Sequence, residues 1–234
     1  MLCYGINPIL EALRSDSPPT KLLVHRGKDN KRLQHLRGLA TKRDIPVQEN
    51  ADLDRLCGQN AVHQGVAGEF ADTWYRPLEQ LPDDVERLVV FDGIRDPHNF
   101  GAALRVCETF GFRHVLYHLG NSSGMTPVAA KTSSGAIFHL HLYAANLNKA
   151  MQALQQRGFS IYALDMAGQH SIHSVPLEPP FCLVIGSEGD GVRHNIRRVA
   201  TAMVNIPMAG HIESLNVSCA LSACLCTFAH RLDD

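Results

Sequence analysis

The sequence predicts an α/β protein: an open, mostly parallel sheet with helices on both faces, preceded by a smaller α/β unit. Three observations carry that expectation. Short apolar runs of strand length alternate with amphipathic stretches of helix length, in the order that crossover units require. Polar, glycine-rich segments follow directly after apolar runs, where the ligand loops of such sheets lie. A segment with two prolines and little periodicity, ADTWYRPLEQLPDDVE, reads as a linker over 71–86 and divides the chain into 1–70 and 87–234.

In the first unit, Asn7-Pro8 places a capping residue before a proline at the first helical position, and ILEALR continues at amphipathic spacing. KLLVH (21–25) is a strand. Asp29 or Asn30 caps a basic helix over 31–42, and a short strand near 46–48 and a helix over 51–57 complete the alternation, which ends near Phe70. In the second unit LVVFDGI (88–94) is a buried parallel-type strand, NFGAALRVCETFG (99–111) a helix closed by Gly111, and RHVLYHL (113–119) a second strand. A helix over 149–157, strands over 159–165 and 181–186, a short helix over 192–199, a strand over 202–206 and a last helix from about 215 to 231 follow.

Composition excludes several classes. Hydrophobic residues make up 45% and charged residues 19%, and no apolar run of about 18 residues or basic-then-apolar leader is present, so a cytoplasmic protein without membrane spans is expected. The cysteines, Cys3, Cys57, Cys107, Cys182, Cys219, Cys224 and Cys226, form no CxxC pair and read as reduced, mostly buried thiols. Among the histidines, His139/His141 and His114/His118 lack the cysteine or carboxylate company of a zinc site, so no metal is expected. The net charge of −1 is balanced, but residues 21–43 carry Lys21, Arg26, Lys28, Lys31, Arg32, Arg37, Lys42 and Arg43 against Asp29 alone. Such a face is an ordinary solvated helix surface or a contact for phosphates.

Three polar loops stand out: DGIRDPHNFG after the strand 88–92, GSEGDG after 181–185 and PMAGHIESLN after 202–206. If these strands are parallel neighbours, the loops meet at one edge and bring Asn99, Arg105, Glu188, Ser214 and Asn216 together. Each residue has a plain structural reading. Asn99 can cap the helix it begins, Arg105 can be solvated, Glu188 can sit in a tight glycine turn, and Ser214 or Asn216 can cap the last helix. That all three strand ends are affected favours a shared site. The loops lack GxGxxG and GxxxxGK[ST], which argues against a nicotinamide enzyme and a nucleoside triphosphatase.

DPHNFGAALRVCETFG, LVIGSEGDGV and IPMAGHIESLNVSCAL resemble, in this order, the three signature motifs of the SpoU-type RNA 2′-O-ribose methyltransferases of the SPOUT class. KTSSGA (131–136) and VHQGV (62–66) are similar to further stretches of the bacterial subgroup that methylates a guanosine of 23S ribosomal RNA. The resemblance runs nearly end to end. It departs from the usual pattern at Phe100, at Val106-Cys107 and at His211-Ile212-Glu213, none of them in the polar set.

The resemblance implies a C-terminal trefoil knot, a homodimer packed through knot-region helices, and S-adenosyl-L-methionine as cofactor. By motif position it assigns cofactor contacts to Gly186, Ile206 and Leu215, and catalytic roles to Arg105, Asn99, Glu188, Ser214 and Asn216. It implies that residues 1–70 bind the RNA substrate through Lys28, Lys31, Arg32, Arg37, Lys42 and Arg43, so that removing them abolishes RNA methylation and spares cofactor binding. Ribosomal RNA is the expected substrate, with transfer RNA or a non-catalytic RNA-binding role as the alternatives. A guanidinium stays protonated, so Arg105 is expected to hold a phosphate and the developing 2′-oxyanion rather than to act as a base.

Overall fold

The computed structural model describes every residue except 29, 51, 59, 72, 73, 212, 213 and 234. The first part of the chain forms β1 (Leu2–Tyr4), α1 (Ile6–Arg14), β2 (Lys21–His25), α2 (Lys31–Lys42), β3 (Val47–Asn50), α3 (Leu53–Cys57) and β4 (Val66–Glu69). Its four strands are ordered β1-β4-β2-β3, with only β2 and β3 parallel. Asp29, one of two caps expected for the basic helix, lies outside the described residues; Asn30 takes the role, its side chain accepting from the amides of Arg32 and Leu33. The cap expected for α1 is corrected. The helix begins at Ile6, one residue before Asn7, and the cap position is Gly5, at φ 100°. Gln64 Oε1 accepts from the Ile6 amide at 3.0 Å, so a distant side chain does the capping.

The second part contains β5 (Arg87–Asp92), α4 (Pro97–Thr109), β6 (His114–His118), α5 (Pro127–Thr132), β7 (His141–Ala145), α6 (Leu147–Gln156), β8 (Ser160–Leu164), β9 (His170–Ser171), β10 (Phe181–Gly186), α7 (His194–Arg197), β11 (Ala202–Asn205) and α8 (Val217–Asp233). The seven strands pair in parallel throughout, in the order β7-β6-β5-β10-β8-β11-β9. The strands alternate between two cores. Val89, Phe91, Val115, Tyr117, Leu183 and Ile185 face α4 and α8, while Leu88, Val90, Leu116, Cys182 and Val184 face α6 and α7. The stripe Leu221, Cys224, Leu225 and Phe228 of α8 is spent inside this chain's own core.

Differences from the sequence-based elements are local. The helix expected over 99–111 starts at Pro97, capped by Asp96, whose carboxylate accepts from the His98 and Asn99 amides at 3.2 Å each. Gly111 at φ 76° closes it as expected. The last helix starts at Val217, so Leu215 stays in the loop, and β7 and α5 appear where none was expected. Within 71–86, Trp74 packs against Phe70 and Phe138 with ring centroids 5.0 and 5.1 Å away, and Arg76 joins the edge of β7. The two sheets share a core cluster that runs from Cys3 and Ile9 to Phe138 and Phe228. No helix among the described residues is long and apolar enough to cross a membrane.

Candidate active site

The parallel register decides where the site forms. Gly186 at the end of β10 lies opposite Asp92 at the end of β5, so the first two polar loops leave the sheet side by side. β8 separates β10 from β11, and the third loop leaves one strand further along. A Cβ on Gly186 would come within 1.9 Å of the Gly191 carbonyl carbon, so the glycine loop can fold back on its strand only without a side chain there. Gly191 donates to the Ser187 carbonyl at 3.1 Å, with Gly189 and Gly191 at φ 90° and 64°. Buried Asp92 ties down the far side, accepting from Arg193 Nε at 2.5 Å and from the Arg193 amide at 2.8 Å.

Asn216 joins all three loops. Its Nδ2 donates to Asn99 Oδ1 at 2.9 Å and to Glu188 Oε1 at 2.6 Å. Its Oδ1 accepts from the Ser218 amide at 2.9 Å and the Ser218 hydroxyl at 2.7 Å, which makes it the cap of α8 as well. One side chain therefore starts the last helix and fixes the other two loops. Asn99 is free for this contact because Asp96, not Asn99, caps α4.

Beside this cluster lies a cavity of about 370 Å³ whose lining includes Gly186, Ile206, Ser214 and Leu215. Met166, Met208 and Leu215, all exposed large apolar side chains, stand around it. Solvated apolar groups gathered at one opening mark a ligand wall. The polar part of the lining comprises Asp165, Ser187, Asp190, Arg197 and Ser214; Arg197 holds Asp165 at 2.6 Å, and its Nε also donates to the Val192 carbonyl at 2.6 Å. A second, smaller pocket of about 250 Å³ adjoins it, lined by Asn99 and Glu188 and sharing Ser187, Asp190 and Val217 with the first.

The structure thus brings Asn99, Glu188 and Asn216 into one hydrogen-bonded cluster, and Gly186, Ile206, Leu215 and Ser214 onto one cavity. Arg105 stands outside both. It is exposed on α4, and its Nη1 donates to Ser134 Oγ at 3.4 Å. Ser134 reaches it because Gly101 lets α5 pack closely on α4, a Cβ there falling 2.4 Å from the Ala129 carbonyl oxygen. Sequence reasoning passed over Asp165 and Arg197. Asp165 is the last residue of FSIYALD, and its place at the carboxyl end of a strand was the available signal. No group of three or more His, Cys, Asp or Glu fit to hold a metal occurs among the described residues.

The model of the SpoU rRNA methylase family matches residues 86–226, the stretch that holds every residue of this site. The chain belongs to the SpoU rRNA methylase family. A second family model, RNA 2′-O ribose methyltransferase substrate binding, matches residues 2–75. An uncharacterised tRNA/rRNA methyltransferase of Mycobacterium avium is 35% identical over 97% of this chain and 76% of its own length. The SpoU methyltransferase AviRb of Streptomyces viridochromogenes, solved with AdoMet, shares the fold at a TM-score of 0.81 and 22% identity, covering 100% of this chain and 91% of that one. A structure described as an RNA 2′-O ribose methyltransferase superposes at a TM-score of 0.77 with 25% identity, over 100% and 88%. With these, the chain is placed as a SpoU-family RNA methyltransferase.

Proposed function

We propose that the chain transfers a methyl group from S-adenosylmethionine to a ribose 2′-hydroxyl of RNA, on a guanosine of 23S ribosomal RNA. The observation that carries this reading is the pairing of an apolar cavity with the Asn99–Glu188–Asn216 cluster next to it. The cavity suits the cofactor. Its volume is within the range of small-molecule sites, Ile185, Ile206, Met208 and Leu215 give it apolar walls, and the glycines of the Gly186–Gly191 turn put main chain without side chains on its lining, where an adenine edge can meet backbone groups. When bound there, S-adenosylmethionine supplies an electrophilic methyl group on a positively charged sulfur.

The chain's own residues do the rest. Gly186, Ile206 and Leu215 hold the cofactor, and Asp165, kept in place by Arg197, accepts hydrogen bonds from it. Glu188 keeps one carboxylate oxygen on Asn216; the other would take the proton of the ribose hydroxyl as the O–CH3 bond forms and the S–CH3 bond breaks, leaving a neutral thioether. Asn99, Ser214 and Asn216 orient the sugar. Arg105 binds the neighbouring phosphate and stabilises the developing oxyanion, a task that suits a planar fork better than an ammonium. The exposed side chains Lys28, Lys31, Arg32 and Lys42 contact phosphates further along the RNA, whereas Arg37 and Arg43 are held by Glu49 and the Ser15 carbonyl.

A homodimer and a knotted C terminus belong to the same reading. Asn216, after β11, bonds to Asn99 and Glu188 in the loops after β5 and β10, and α8 then packs on α4. Mapping ribose methylation on total RNA with and without this protein tests the substrate. The reading expects one ribosomal guanosine to lose its methyl group when the protein is absent; a loss confined to transfer RNA moves the reaction to that substrate, and an unchanged pattern overturns it.

A further inference from the structure

The smaller pocket contains groups that the proposed reaction does not use. Arg95, in the loop after β5, is exposed and has no carboxylate partner among the described residues. Its Nε and Nη2 both donate to Asn121 Oδ1, at 3.1 and 2.7 Å, which fixes the plane of the guanidinium and leaves Nη1 uncommitted. Asp190, which lines both this pocket and the cofactor cavity, sits between two glycines in left-handed conformation and forms no hydrogen bond or ion pair among the described residues. Arg193, pinned to Asp92, lines the same pocket with a buried Nη2 that finds no acceptor among the described residues. The uncommitted Nη1 of a guanidinium held in plane, an acceptor-only carboxylate and an unpartnered buried donor therefore belong to residues that line one space of about 250 Å³, next to the cavity assigned to the cofactor.

We propose that this pocket receives the base of the target nucleotide, turned out of its stack, and reads it as guanine: Asp190 accepts from N1–H and N2–H, and Arg95 donates to O6. The assignment follows from the edges of the bases. Guanine alone presents two neighbouring N–H donors beside a carbonyl, the complement of a carboxylate facing an arginine. Adenine places the N1 lone pair where the carboxylate would be, cytosine offers one amino group beside acceptors, and uracil a single N–H between two carbonyls. Extruding the base is what lets an enzyme read its Watson–Crick edge while holding its ribose at the reacting centre. The inference rests on the ribose methyltransferase reading above, since Asn99 and Glu188 form the pocket wall nearest the cluster.

The test uses the full chain with tritiated S-adenosylmethionine and deproteinised total RNA from cells that lack the protein, followed by digestion to nucleosides. The inference expects the label in 2′-O-methylguanosine. It also expects Arg95→Ala and Asp190→Asn each to lower kcat/KM for RNA by at least tenfold. Arg95 does not line the cofactor cavity, so Arg95→Ala is expected to keep cofactor affinity within threefold, which separates a reading defect from misfolding. Label in another 2′-O-methylated nucleoside overturns the base assignment and with it the guanosine of the proposed function, leaving ribose methylation itself standing; label in 2′-O-methylguanosine with unchanged RNA kinetics in both variants overturns the roles of Arg95 and Asp190 alone. Absence of label from every 2′-O-methylated nucleoside overturns the proposed function itself.

Discussion

Two positions on α4 were expected in one site, and the chain holds them differently. Asn99 is fixed by three loops: Asp96 frees it by capping the helix, and Asn216 ties it to Glu188. Arg105 is exposed further along, its Nη1 donating to Ser134 Oγ at 3.4 Å. The first arrangement is organised before anything binds, as groups that position a reacting centre need to be. The second is organised by what it binds, which suits a side chain whose partner is an RNA phosphate. Substitutions in the preorganised half should therefore harm stability or cofactor binding as well as turnover, and those at Arg105 should harm turnover and RNA contact while sparing stability and cofactor affinity.

The largest effect is expected at Gly186. Gly186→Ala drives a Cβ into the Gly191 backbone, so cofactor affinity should fall more than about 100-fold, or the thermal midpoint should drop sharply, as read by calorimetry and melting. Arg105→Ala should reduce single-turnover methyl transfer about 100-fold, near 2.7 kcal/mol of transition-state stabilisation, with cofactor affinity unchanged and no recovery in Arg105→Lys. Near wild-type turnover in Arg105→Lys would remove the bidentate role. Asn216→Ala takes away a helix cap and the link between loops. It should cost about 1 kcal/mol in urea unfolding and about tenfold in turnover, a combination that neither role predicts alone.

Smaller effects sharpen the contrast between the two units. Truncation at residue 70 would expose the shared core around Phe138 and remove Gln64 from Lys131, so point changes on the basic face give a cleaner test. Replacing Lys28, Lys31, Arg32 and Lys42 by Gln should weaken RNA binding about tenfold and flatten its dependence on salt, read by filter binding at several ionic strengths. The smallest effect is in pH. Burial, with His141 next, holds His114 down to about 4, so its folded form binds fewer protons than the unfolded chain. Its contribution to stability is present above about pH 6.5 and is lost as pH falls toward 4; His114→Gln should flatten that limb of the unfolding curve.

Much of this was legible in the sequence, and the reasons differ by element. FCLVIG and KRLQHLRGLATK carried their own boundaries because a buried parallel strand and a capped amphipathic helix each satisfy their pattern locally. HLYAA did not. It becomes β7 through pairing with β6 and with Arg76, contacts distant in sequence. The cap of α1 failed for the same reason, since Gln64 arrives from the other end of its domain. In the site, the polar loops at strand ends pointed to Asn99 and Asn216, whereas Gly186 came from the motif resemblance. Asp165 was missed because its partner Arg197 comes from a helix three elements later. The thiols divide as expected of reduced cysteines: burial raises Cys3 and Cys182 to about 12, while Cys219 and Cys226 are exposed on α8.

The most direct test of the account is calorimetry of the intact chain, free of RNA, titrated separately with S-adenosylmethionine and NADH. A cavity that is built before RNA arrives predicts saturable binding of S-adenosylmethionine at one site per chain and no binding of NADH. Failure to bind S-adenosylmethionine without RNA, or equal binding of NADH, would contradict it.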